Sequence, residues 1–400
     1  SLELDELVGS YLQADASSTA KYLITANTAD TIRVAGELAG SALNAGNLYS
    51  LNSFNPAADS IAASASSTRE QVGAFAIQSS AESDPVWGYQ VYNSAPSTEG
   101  EVSANEIWSG DITLTDDVSF AQGNRLIIEP GTTIRFAPGA SLTVNNPGVT
   151  RLLANADNPI QFIAEGSDTD VAGQWQGVTI EGAVHLSHVT ISNAITGLTA
   201  DDNVWMDNAT ISYNTTGVSA TGEVYLSNSV FDNNGRGLYT TKGGTLSNSQ
   251  FTSHSGTAAQ YHGATEVVEA SFNDNQRGLT IRGGSVRNSD FATTSEWALH
   301  LGGTTTISDS EFVSNGTGIS AADERNVNIS VTDSYFSGNT TAINQYTRYN
   351  YERSLDVVSS EFIGGAYGIQ TGYYGTVEIH QSSFSDFTER ALDVGYNMTA

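Results

Sequence analysis

Lys242, His262 and Arg282 each stand immediately before a glycine, at intervals of 20 residues. They do so in a chain of 44 acidic and 15 basic residues with a formal net charge of −29. Tyr261 adjoins His262, Tyr239 and His300 fall nearby in the same pattern, and Arg277 and Arg287 flank it. Elimination across a uronate needs a cation to neutralise the carboxylate, a base for the α-proton and often a tyrosine acid. Lys242, His262, Arg282 and Tyr261 are therefore a candidate catalytic set for a polysaccharide lyase or hydrolase. The simpler account is a patch that relieves repulsion among neighbouring acids.

Other residues carry weaker signals. The segment Tyr346, Arg348, Tyr349, Tyr351 and Arg353, with Tyr373 and Tyr374 after it, collects the residue types that stack on sugars and dominate contact surfaces. These are the candidate ligand-binding residues. Asp168 and Asp170 form a lone D-x-D that can contribute to a Ca2+ site only with further oxygen ligands. Asp290, Glu311 and Glu361 recur with Tyr335 between them and Asp309 and Asp333 close by, as a solvated acidic stripe or a cation-holding one.

The elements that must position these residues come from one repeat. Ile191, Ile211, Phe231, Phe251, Phe272, Phe291, Phe312, Phe336, Phe362 and Phe384 recur at spacings of 20, 20, 20, 21, 19, 21, 24, 26 and 22 residues. A serine commonly stands two residues earlier, as at Ser229 and Ser249, so the two should share the inner face of one strand. Asn at the third following position and Gly at the sixth suggest a left-handed turn. An aliphatic at the seventh starts a second inward-facing strand. One such coil cannot bury its own apolar residues, but coils stacked about 4.8 Å apart place each Phe on the next. The last of seven prolines is Pro159, as expected where nearly every later N–H donates to a neighbouring coil. The pattern predicts an all-β, parallel β-helix of 20–26-residue coils.

This column of Phe with its Asn ladder resembles the right-handed parallel β-helix of the pectin-lyase-like superfamily. The stretch from Gly123 to Val144, followed by Gln174-Trp175-Gln176-Gly177-Val178, is similar to the opening coils of secreted bacterial β-helix repeat proteins. The resemblance covers about residues 106 to 396. It implies the fold and export, and leaves activity open, because the architecture carries lyases, hydrolases, tailspikes and adhesins alike. The superfamily's catalytic signatures are missing: Asp201-Asp202 has no partner motifs, Arg282 stands in a TIRGG context, and Trp205-Met206-Asp207-Asn208 matches a lyase motif only superficially.

Composition and order along the chain complete the expectation. A strongly acidic surface argues against nucleic acid and anionic membranes as partners. No apolar run is long enough to span a bilayer, and cysteine is absent. Residues 2–12 have the spacing of a short amphipathic helix. Runs such as Thr31–Val34 and Val86–Val91 suggest a small β-rich region, Pro56–Ser67 is helix or loop, and Ser94–Asn105 reads as a linker. The expected domains are residues 1–105, a capping or docking region, and 106–400, the solenoid. With no segment to cover the last coil, end-to-end self-association into filaments is expected. The leading expectation is an extracellular or cell-surface structural or adhesive protein without catalytic activity or a required cofactor. The alternatives are a lyase or hydrolase acting on acidic glycans and a calcium-dependent glycan-binding module.

Overall fold

The computed structural model describes residues 92–399, apart from 146–147, 167–169, 322–324, 347–352, 373–374 and 395–397. Before them it describes the strands Tyr11–Gln13, Tyr22–Asn27, Ile32–Val34 and Ser50–Asn52. The chain divides into two compact units: Ser1–Pro96 with Ala104–Ile107, and Ser97–Ser103 with Trp108–Ala400. In the first unit the four strands form one antiparallel sheet. Tyr11 and Leu12, the end of the expected helix, therefore belong to a strand; residues 2–10, 56–67 and 86–91 lie outside the described residues.

The second unit is a parallel β-helix whose successive coils build three sheets, of 13, 14 and 12 strands among the described residues. The first sheet runs from Asp111–Leu114 to Ser383–Ser385, the second from Gly100–Val102 to Arg390–Asp393, and the third from Val149–Leu153 to Met398–Thr399. Gly100–Val102 pairs with Val118–Phe120, so part of the expected linker is already solenoid. Its polar Gly100 and Glu101 face solvent while Val102 is buried, which is why composition alone misreads it. Among the described residues no helix is long and apolar enough to cross a membrane.

The first sheet carries the column. From Phe231 to Phe384 successive ring centroids lie 4.5–5.0 Å apart and the planes are within 15° of parallel. Burying each ring stabilises the coil by about 1.5–3 kcal/mol. The column continues backwards through Phe162, Ile134 and Ile112, which pair in register although their longer intervening segments hide the repeat.

Two details depart from the expected coil. The serines that stand two residues ahead of a Phe are buried as expected, except Ser382, but they lie in the corner before the strand rather than within it, and Phe272 has Ala270 there instead. Ser229 Oγ donates to Ser227 O at 2.7 Å and accepts Ala209 N–H at 3.0 Å, linking adjacent coils. The left-handed residues stand three before and two after the column, as at Asn228 (φ 49°) and Asn233 (φ 51°), so Asp309 and Asp333 occupy corner positions. The expected turn residues do other work. Asn214 and Asn234 are buried and bond coil to coil, and Gly237 lies within the strand Arg236–Thr240. A Cβ at 237 would stand 2.3 Å from Ala258 O, so close approach selects this glycine.

Candidate functional site

The second sheet has a repeated strand pattern in which the first and fourth residues face outward and the second, third and fifth are buried. Across Arg236–Thr240, Thr257–Tyr261, Arg277–Ile281 and Trp297–Leu301 the outward rows therefore read Arg236, Thr257, Arg277, Trp297 and Tyr239, Gln260, Thr280, His300. Register confirms this alignment from strand to strand. The residues just beyond the fifth position extend the face at its edge, and there His262 and Arg282 stand on adjacent coils.

Lys242 does not stand with them. Thr240 pairs with Tyr261, which places Thr241 beside His262 and leaves Lys242 level with Gly263, one residue farther round the corner. Tyr261 occupies the fifth, inward position shared by Thr240, Ile281 and Leu301, and is completely buried. Burial pushes its phenol far above the ordinary range, and its hydroxyl has no hydrogen-bond partner among the described residues. Tyr261 is therefore a core residue with no access to a substrate. Arg287 lies on the third sheet, ion-paired with Glu266.

His262, Arg282, Arg277, Trp297, His300 and Gln260 line a shallow groove of about 220 Å³ together with Thr257, Thr280 and Gly302. Arg277 holds Glu296 through Nε at 2.7 Å and Nη2 at 3.3 Å, and its guanidinium carbon lies 4.8 Å from the Trp297 ring centroid. Arg282 makes no ion pair among the described residues. Its side chain runs over Gly302, where a Cβ would meet Arg282 Cγ at 3.2 Å. His262 Nε2 is 2.8 Å from the Gln260 amide nitrogen, and its ring meets the Tyr239 ring edge-on at 5.4 Å. Partial burial, then Arg282 and Arg236, lower the His262 pKa, so the imidazole is neutral at pH 7. Arg236 lies over Tyr239 at 5.2 Å. Sequence spacing pointed to His262 and Arg282; Trp297 and Arg236 emerge only from the strand register.

The other candidates scatter. Tyr346 is 41% exposed. Arg353 is buried, its Nη1 donating to Ala321 O at 3.0 Å and Gln345 O at 2.8 Å, so its guanidinium is held by backbone carbonyls instead of meeting a ligand. Arg348, Tyr349, Tyr351, Tyr373, Tyr374 and Asp168 lie outside the described residues. Asp170 is exposed, and its charge is the main cause that raises the Tyr213 phenol pKa. Asp290, Glu311, Tyr335 and Glu361 do align on adjacent strands of the first sheet, with the three acids exposed.

The sequence matches no protein-family model and no curated protein. Among solved structures, the chain is similar to the A-module of the Azotobacter vinelandii mannuronan C-5 epimerase AlgE4, with 15% identity, 77% of this chain and 90% of that one covered, and a TM-score of 0.32. It is also similar to the A-module of the epimerase AlgE6 from the same organism, at 12% identity, 77% and 88% coverage and a TM-score of 0.34. The Dettilon tailspike protein is a third, at 9% identity, 86% and 70% coverage and a TM-score of 0.22. Likeness at that level speaks to neither substrate nor activity.

Proposed function

We propose that this protein is an extracellular, non-catalytic β-helical adhesin-like module that binds an acidic saccharide in the groove of the second sheet. One observation carries the reading: in a chain with 44 acidic residues, Arg282 has no ion pair among the described residues and lines the groove beside Trp297 and a neutral His262. A guanidinium takes a carboxylate or sulfate through two parallel N–H bonds. Trp297 supplies apolar surface for a sugar ring, and Gln260, Thr280 and His262 offer partners for hydroxyls. A place outside the cell rests on the similarity of the opening coils to secreted β-helix repeat proteins.

Titration calorimetry with oligogalacturonate, a sulfated glycan and a neutral glucan tests this. Acidic ligands should bind, the glucan should not, and Arg282→Ala should weaken binding by at least about tenfold, as loss of a charge-assisted pair worth about 1.5–3 kcal/mol implies. Equal affinity in wild type and Arg282→Ala, or no binding of any acidic glycan, would refute the proposal.

One contact supports a second reading, a lyase. The neutral His262 lies against Tyr239, whose phenol is available where that of Tyr261 is not. Release of unsaturated uronate that disappears in His262→Ala while binding persists would establish it.

A further inference from the structure

The outer face of the third sheet carries a group of side chains that the groove does not use. Glu378 and His380 lie two residues apart on the strand Thr376–His380, so both project from the same face. Asp356, on the neighbouring strand Ser354–Val358, is the register partner of Glu378. One carboxylate oxygen from each acid and one imidazole nitrogen lie within 4.8 Å of one another. Asp356 Oδ1 is shielded from solvent and accepts no hydrogen bond among the described residues. Among the described residues, the side chains of Glu378 and His380 have no hydrogen-bond or ion-pair partner either. The residues in register with these three on the neighbouring strands, Ser330, Val358 and Thr399, carry no positive charge.

Two carboxylates placed side by side repel each other, and a shielded carboxylate oxygen without a donor is unfavourable on its own. A cation bound by all three groups relieves both. We infer that Asp356, Glu378 and His380 bind a divalent transition-metal ion, Zn2+ being the best match to two carboxylate oxygens and one imidazole. The imidazole and the small number of donors disfavour Ca2+, which takes six to eight oxygen ligands. Three ligands on one sheet face leave at least one coordination position toward solvent. The ion ties together adjacent strands in the last coils of the described solenoid. This site is independent of the saccharide groove.

The test uses the full chain, freed of metal by chelation and titrated with Zn2+ alone. One equivalent should bind with micromolar affinity and shift the His380 ring resonances. A hundredfold excess of Ca2+ should not displace it. His380→Gln and Glu378→Gln should each weaken binding at least about tenfold. Both positions are exposed, so circular dichroism spectra should match the wild type. The wild type should also gain thermal stability with Zn2+, and both variants should lose that gain. The inference is overturned by absence of stoichiometric binding, by binding that survives both substitutions, or by equal displacement with Ca2+. Testing the variants also separates this site from adventitious binding at the chain's other histidines.

Discussion

His254 replaces an asparagine in the buried ladder, and this single exchange should give the solenoid a defined acid sensitivity. Asn214 and Asn234 each accept the previous coil's N–H at Oδ1 and donate Nδ2 to a carbonyl at 2.9–3.2 Å. At the next coil His254 Nδ1 accepts Asn234 N–H at 3.2 Å, while its Nε2 is buried without a partner. The imidazole must therefore stay neutral, and burial lowers its pKa from 6.5 to about 3. Between those values the unfolded chain holds a proton that the folded chain does not. Stability consequently falls as pH drops through this window, by about 1.4 kcal/mol per unit, or about 2 kcal/mol from pH 7 to pH 5.

His254→Asn removes that linkage and lets Nδ2 reach Phe231 O, as Asn275 Nδ2 reaches Phe251 O at 2.9 Å. At pH 7 the new hydrogen bond, worth about 1 kcal/mol, is offset by lost packing against the Phe251 ring, so the two proteins should be of similar stability. At pH 5 the variant should be more stable by about 2 kcal/mol. Guanidinium denaturation at both pH values reads the difference, and exchange of the Asn234 amide reads it locally if coils unfold separately. All other carboxylates titrate in both proteins and cancel. Parallel pH profiles would refute the neutral, buried imidazole.

Two further substitutions probe the core beneath the groove. Tyr261→Phe removes a buried hydroxyl that has no partner, so stability should be unchanged or higher by up to about 1 kcal/mol and saccharide binding unaltered; a loss of binding would return the phenol to the site. Gly237→Ala places a Cβ 2.3 Å from Ala258 O and 2.6 Å from His254 Nε2, and should destabilise by at least about 2 kcal/mol in the same denaturation assay. A neutral Gly237→Ala would mean that the coils separate more easily than their backbone hydrogen bonds imply.

The difference between what the sequence discloses and what it hides follows from where the constraint lies. The Phe column is legible because each ring packs on the same residue type one coil away, so chemistry repeats even when spacing moves from 19 to 26 residues. The corner residues repeat more loosely, because any residue able to hold a left-handed backbone serves there, including His188, Tyr213 and Glu269. Their variety is why the turn is misread as belonging to the conserved-looking Asn and Gly, whose real constraints are burial and close approach.

Outward chemistry is harder still, since it depends on register accumulated through corners of unequal length. Two residues separate Ile281 from Gly284, against three between Tyr261 and Thr265. The corner after Thr240 also has three residues, but its first glycine, Gly243, stands one place later than Gly263 does, so spacing from the glycine aligns Lys242 with His262, whereas strand pairing aligns Thr241 with it. The same dependence brings Asp356 beside Glu378 across a 22-residue interval that contains two strands of the other sheets, Glu361–Ile363 and Tyr367–Thr371. A column is visible in a sequence when stacking selects its identity. A site built across coils becomes visible only when the register is known, and that is why Trp297, Arg236 and the Asp356, Glu378 and His380 group escape a reading based on spacing alone.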